Sequence, residues 1–164
     1  MTNTIVLPSS ITAEIEKRAR KEGMSIEEYL IDLVLRDLNP NEKAEKYLDG
    51  AFELIKQAWK EIEKKDFRQA SEKIWGACAL AIKAHAYAKT GRRLASHREL
   101  HEYKDEIVKE IGDWTLNAWF AANTMHINFY EEWATEDEIK AALKKVEELI
   151  KAIAKSIYER SKYV

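Results

Sequence analysis

Apolar side chains recur every three or four positions along most of this chain, which is the spacing of amphipathic α-helices. Helix start and stop signals divide the pattern into seven helices. They are predicted over about 11–22, 26–38, 40–65, 67–89, 97–111, 113–133 and 136–160. Capping boxes begin at Ser25, Asn39, Ser96 and Thr135, each with a glutamate three positions later. The sequence therefore predicts an all-α protein.

Two of these helices have the composition of a bundle centre. The fourth is rich in alanine, whose small side chain lets neighbouring helices approach closely, and the sixth is rich in tryptophan, phenylalanine and tyrosine. The third and seventh helices carry their charges on faces that would point outward. We therefore expect an antiparallel helical bundle built around the fourth and sixth helices.

The N-terminal part has a different pattern, which divides the chain into a segment over 1–38 and a bundle over 39–164. A short β-branched run, 4–7, precedes Pro8 and is predicted to be a strand; two short helices separated by Gly23 follow it. This strand–helix–helix order resembles the ribbon–helix–helix family of DNA-binding repressors and antitoxins. The resemblance implies a dimer whose paired strands enter the major groove of DNA.

Charge argues against DNA as the partner of this segment. Residues 1–38 contain five basic and seven acidic side chains, and the predicted outward positions Thr2, Thr4 and Val6 carry no charge. Affinity for duplex DNA depends strongly on neutralising phosphates. We therefore expect the segment to hold a dimer together rather than to read DNA.

Composition excludes several other classes of protein. The 164 residues carry a net charge of -2, which excludes a broadly basic coat for nucleic acid. Cys78 is the single cysteine, so an intramolecular disulfide framework and a cysteine-rich zinc site are excluded. The longest stretch without charge, 114–130, contains three asparagines, which would be costly in lipid. We expect a cytoplasmic protein with no membrane contact, and Cys78 as a reduced core thiol.

Basic residues and histidines concentrate between Lys83 and His101. This basic and histidine island contains five lysines or arginines, three of the four histidines and one acidic residue, Glu99. Arg92 and Arg93 offer forked donors to phosphate, with Arg98 and His101 as further ligand-binding candidates. Two interpretations stay open: an anion-binding site, or a solvated loop that happens to be basic.

Two further patterns bear on chemistry. His97 and His101 have the i, i+4 spacing of a two-ligand metal pair, but no carboxylate obviously converges on them, so neither a metal nor a cofactor is expected. On the sixth helix, Trp119, Asn123, His126 and Tyr130 share one side. They indicate buried polar groups satisfied by neighbours, a ligand pocket, or a surface for self-association.

Residues 42–160 resemble the HEPN superfamily of small α-bundles and, more narrowly, its archaeal PaREP-type family. The matching stretches are DFRQASEKIWGACALAIKAHA, ASHREL and MHINFYEEW. The resemblance implies a dimer, frequent RNA cleavage or nucleotide binding, and links to toxin–antitoxin systems. Its ribonucleases use an Arg-x4-6-His motif. The positions upstream of His126 that would hold this arginine are not basic, whereas Arg92 and His97 do have the required spacing.

Three functional hypotheses follow. The first is a dimeric module that binds a nucleotide or RNA through Arg92, Arg93 and His97. The second is a metal-independent ribonuclease in which Arg92 stabilises charge on phosphorus and His97 transfers a proton, with His126 as an alternative acid or base. The third is a structural or regulatory partner protein, such as one half of a toxin–antitoxin pair.

Overall fold

The computed structural model describes residues 3–161, and this part of the chain folds into seven α-helices. In chain order they are α1 (Ser9–Glu22), α2 (Ile26–Val34), α3 (Pro40–Glu63), α4 (Phe67–Thr90), α5 (His97–Ile111), α6 (Trp114–Glu131) and α7 (Glu136–Ser161). The predicted all-α class is confirmed. None of these helices has both the length and the apolar content needed to cross a membrane.

The predicted capping residues are at the helix starts. The side chains of Ser25, Asn39 and Ser96 each accept a hydrogen bond from the backbone N–H three residues later. The end of α6 differs from its prediction because Asn128 competes with the helix. Its Oδ1 atom accepts hydrogen bonds from the N–H groups of Trp133 and Ala134, at 2.9 and 2.7 Å, and so ends the helix at Glu131.

The predicted N-terminal strand is wrong. Residues 3–7 have no regular secondary structure, and no strand is present anywhere in 3–161. A strand is stabilised by hydrogen bonds to a neighbouring strand, and the described part of this chain supplies no partner. The β-branched composition of the segment is therefore insufficient to make it a strand within one chain.

The core of the bundle surrounds α4, which is buried on all sides from Ile74 to Tyr87. α3 lies antiparallel to α4 and very close to it. A Cβ atom added to Gly50 would lie 3.1 Å from Leu80, and one added to Gly76 would lie 3.1 Å from Leu54. These glycines permit the close approach of the two helices. Cys78 is a free, fully buried thiol on α4, as expected, and burial raises its pKa to about 12.

α6 is antiparallel to α4, whereas α5 runs in the same direction as α4. His97, at the start of α5, contacts Trp75, and Tyr103 further along contacts His85. The connection over 91–96 therefore returns along the bundle before α5 begins, and Leu94 within it is fully buried. This return places the start of α5 beside the middle of α4.

The N-terminal helices α1 and α2 form a hairpin that is joined to the bundle by buried charges. Gly23 ends α1 in the left-handed conformation, with φ of 68°, which allows the sharp reversal into α2. From α2, Glu28 and Asp32 reach the ammonium group of Lys83 on α4, at 2.7 and 3.2 Å. The Lys83 side chain is only 1% exposed. Tyr47 of α3 donates a hydrogen bond to Asp32 in the same place.

These charges stabilise one another. Burial disfavours the charged ammonium group, but the carboxylates of Glu28 and Asp32 outweigh it and raise the pKa of Lys83. A second ion pair joins Glu27 of α2 to Lys73 of α4. The hairpin and the bundle are therefore in ionic contact along α4, and the division of the chain at 38/39 into two domains stays a prediction.

Candidate functional site

Aromatic rings from three helices meet on one side of the bundle. Trp75 of α4 is fully buried, and the rings of His97 and His126 lie against it with centroid distances of 5.1 and 4.8 Å. Further rings extend this histidine–tryptophan cluster towards solvent. Its members are Trp75, His97, His101, Trp119, His126 and Tyr130. Four of the six were predicted as site residues from the sequence.

The two central histidines are in direct ring contact. The centroids of His97 and His126 are 5.7 Å apart, and their planes differ by 27°. His97 comes from the first turn of α5, whose position is fixed by the returning segment over 91–96, and His126 comes from the polar stripe of α6. The structure thus brings together residues that are 29 positions apart in the sequence.

The cluster has a buried floor and an exposed edge. Trp75 and Trp119 form the floor, while the exposed His101 meets Trp119 edge-on, with ring centroids 5.8 Å apart. Tyr130 is 61% exposed and meets His126 edge-on at 5.7 Å. The rings of His101 and Tyr130 are therefore accessible to solvent and still in contact with the rings of Trp119 and His126.

Two ring nitrogens in the cluster have no hydrogen-bond partner among the described residues. They are Nε1 of Trp75 and Nδ1 of His126. Burial, together with the nearby imidazole of His97, lowers the pKa of His126 to about 4. His126 is consequently neutral at pH 7, with one ring nitrogen as donor and the other as acceptor.

Glu72 is a candidate residue that the sequence analysis missed. It lies one turn before Trp75 on α4, and its Oε2 atom is buried with no hydrogen-bond partner in the described part of the chain. Burial raises the pKa of its carboxyl group to about 7, and the nearby Glu28 carboxylate adds to this rise. Strongly shifted titratable groups are common at functional sites. Only the folded contacts reveal Glu72, because its sequence position is that of an ordinary helix-surface glutamate.

Each arginine of the basic and histidine island pairs with a different carboxylate. Arg92 pairs with Glu99 at 3.4 Å, Arg93 with Asp32 at 3.4 Å, and Arg98 with Glu102 at 2.8 Å. The positive charges of these arginines are thus paired with carboxylates. Glu99 lies inside the island, whereas Asp32 and Glu102 lie outside it. The two open interpretations of the island stay predictions, but its guanidinium groups face three different acidic partners.

The remaining predicted residue, Asn123, lies between Trp119 and His126 on α6 and is half-buried. Of the four residues in the predicted stripe on α6, three belong to the histidine–tryptophan cluster and Asn123 does not. In the described part of the chain, no three histidine, cysteine, aspartate or glutamate side chains are grouped as a metal site requires.

The fold and the site describe an all-helical bundle with an N-terminal helical hairpin and a surface cluster of histidine and aromatic rings. A family model for the archaeal PaREP1/PaREP8 family matches residues 46–150. The chain belongs to this family. Neither the search of curated proteins nor the search of solved structures finds a match.

The raised pKa of Glu72 predicts a pH-dependent effect of Glu72→Gln on stability. In the folded protein this carboxyl group holds its proton up to about pH 7, whereas it loses the proton near 4.5 when unfolded. The free energy of unfolding of the wild type therefore falls as pH rises through this interval, because the unfolded chain releases the Glu72 proton more easily than the folded protein does. Glutamine has no charge to bury, so the variant should be more stable than wild type by up to roughly 3 kcal/mol at pH 8, and by less than about 1 kcal/mol at pH 5.

Urea unfolding at both pH values measures this difference. Glu63→Gln, at an exposed position of α3, is the control and should show no such pH-dependent gain. An equal effect of Glu72→Gln at pH 5 and pH 8 would contradict the assignment.

Proposed function

We propose that this protein is an RNA- or nucleotide-binding module that works as a dimer, and that the histidine–tryptophan cluster holds the bases of single-stranded RNA. The observation that carries the proposal is the set of stacked rings with a buried floor and the exposed rings of His101 and Tyr130. We also propose that the chain is a member of the HEPN superfamily. We further propose that its N-terminal segment is related to ribbon–helix–helix proteins.

Stacking suits single strands better than duplexes. Proteins recognise unpaired bases by stacking them on aromatic and histidine rings and by hydrogen bonds to their edges. Each stacked base contributes about 1–3 kcal/mol. Histidine rings add polar atoms to this surface, because a neutral imidazole is both donor and acceptor. The cluster thus combines flat apolar area with the groups that read a base edge.

Phosphates would be met by the arginines next to the start of α5. The pairs of Arg92 with Glu99 and of Arg98 with Glu102 are largely exposed, and pairs of this kind contribute only about 0–1 kcal/mol. Exchanging such a carboxylate for an RNA phosphate therefore costs little. This supports Arg92 and Arg98 as backbone contacts, with the rings providing most of the affinity.

Duplex DNA is a poor fit to the N-terminal hairpin. Its second helix presents Glu27, Glu28 and Asp32, all of which are already paired with cations of the bundle or the 91–96 segment. We therefore propose RNA or a nucleotide, and not duplex DNA, as the ligand of this protein.

A second copy of the chain is the proposed partner of the N-terminal segment. Ile5 is 82% exposed and Val6 is 90% exposed, which is unusual for consecutive large aliphatic residues. Burying Ile5 against the same residue of another copy would remove apolar surface from water. A toxin–antitoxin role would be compatible with this dimer and stays a prediction.

The contact between His97 and His126 favours one alternative, metal-independent RNA cleavage. A neutral His126 can accept a proton, and His97, whose ring lies against it, is the second candidate for proton transfer. Binding and cleavage are separated by a single assay, because the integrity of the RNA is read after its binding is measured.

The RNA proposal predicts that exposed rings carry the affinity. A labelled single-stranded RNA should bind the wild type, as followed by fluorescence anisotropy, and His101→Ala/Tyr130→Ala should bind at least about tenfold more weakly because two stacking platforms are lost. Phe120→Ala is the matched control, since Phe120 is an exposed aromatic residue of α6 outside the cluster.

Three results would argue against the assignment: no binding by the wild type, equal binding by the double variant, or the same loss in Phe120→Ala. A denaturing gel of the same RNA, run with a metal chelator present, then tests cleavage. Cleavage by the wild type that disappears in His97→Ala would make the protein a ribonuclease rather than a binding module.

The dimer proposal predicts a change of mass in Ile5→Asp. Light scattering should show a dimer for the wild type and a monomer for this variant, because a charge replaces a buried apolar contact. Thr4→Asp, which adds the same charge at the neighbouring predicted outward position, should remain a dimer. A monomeric wild type, or a dimer of Ile5→Asp, would contradict the proposed contact.

A further inference from the structure

A cavity of about 220 Å³ lies where the N-terminal hairpin meets the bundle. It is separate from the histidine–tryptophan cluster and shares no residue with it. Positive groups and tyrosine rings dominate its lining. The residues that matter here are Tyr29, Asp32, Arg36, Lys43, Tyr87 and Arg93.

We propose that this cavity binds a small phosphomonoester of about the size of a pentose phosphate. The cations would hold the phosphate and the tyrosine rings would contact the sugar. Of the residues predicted from the sequence to bind a nucleotide or RNA, the cavity uses only Arg93, and it uses no member of the histidine–tryptophan cluster. The sugar-phosphate proposal and the RNA proposal can therefore be tested independently.

Two of the three cations are available to a ligand. Neither Arg36 nor Lys43 has a carboxylate within 4.0 Å in the described part of the chain. Lys43 lies over the ring of Tyr87, with its Nζ atom 5.3 Å from the ring centroid. That ring gives the ammonium group a fixed position without neutralising its charge.

The third cation, Arg93, has only a weak contact with its carboxylate partner. It contacts Asp32 at 3.4 Å, longer than the 2.7–2.9 Å of a good charged hydrogen bond, and its side chain is 54% exposed. A phosphate can therefore replace Asp32 as its partner, and a guanidinium group matches phosphate geometry with two parallel donors.

The carboxylate of Asp32 does not exclude an anion from the cavity. Lys83, which it shares with Glu28, lies 3.2 Å from it, and Tyr47 donates a hydrogen bond to it, so its charge stays partly compensated when Arg93 turns away. Glu22 is the other acidic residue of the lining, against three cations. The cavity thus retains an excess of positive charge for a dianionic phosphate.

Size limits the ligand. Pockets for drug-sized molecules usually span about 300–1,000 Å³. A cavity of about 220 Å³ suits a phosphate with a small sugar and is too small for a dinucleotide. The side chains of Tyr29 and Tyr87 provide flat walls against which a sugar ring can pack.

Isothermal titration calorimetry with ribose 5-phosphate tests the proposal. The wild type should bind it saturably with a Kd of about 1 mM or tighter, and should not bind ribose. Arg36→Gln/Lys43→Gln should bind at least about tenfold more weakly, since two charged contacts are lost. Inorganic phosphate should bind more weakly than the sugar phosphate because it cannot contact the tyrosine walls.

The control is Lys46→Gln/Lys60→Gln, which removes the same charge from two exposed positions of α3 and should leave binding unchanged. Thermal unfolding checks that both double variants are folded. Absence of saturable binding by the wild type, or equal affinity in Arg36→Gln/Lys43→Gln, would overturn the site. Equal affinity for inorganic phosphate would overturn its assignment to a sugar phosphate.

Discussion

The buried ammonium group of Lys83 is the constraint on which the arrangement of this protein depends. An isolated charge in a protein interior is very unfavourable, so the fold must bring carboxylates to it. Glu28 and Asp32 come from a helix more than fifty positions earlier in the chain. The N-terminal hairpin therefore supplies the counter-charges of Lys83 on α4. Separation of the hairpin from the bundle would break these ion pairs.

This constraint also shapes both candidate sites. Asp32 contacts Arg93 as well as Lys83, so the hairpin also meets the segment over 91–96 that returns along the bundle. Gly23 of the hairpin lies beside His97, since an added Cβ atom would be in ordinary van der Waals contact with the histidine Cβ at 3.9 Å. The hairpin thus borders the phosphomonoester cavity and supports the first turn of α5, where the ring cluster begins.

Local features of the structure could be predicted from the sequence, because capping residues and helical spacing act over a few positions. Contacts between distant residues could not. Glu28 illustrates the difference, since its spacing from Ser25 predicts a capping box. Ser25 does cap α2, but the Glu28 side chain reaches Lys83. The charge count of the basic and histidine island likewise included neither Asp32 nor Glu102, which pair with Arg93 and Arg98 in the fold. The strand over 4–7 failed for the related reason that a strand needs a partner.

Unfolding of Lys83→Met in urea tests the role of the buried ammonium group most directly. The variant leaves Glu28 and Asp32 buried without their cation, and loss of one partner of a buried pair costs about 3–5 kcal/mol. Lys56→Met, which removes one partner of the exposed pair with Glu53, should cost less than about 1 kcal/mol. We predict a much larger loss of stability at Lys83 than at Lys56, with α1 and α2 losing protection from hydrogen exchange first. Equal losses in the two variants would contradict the account.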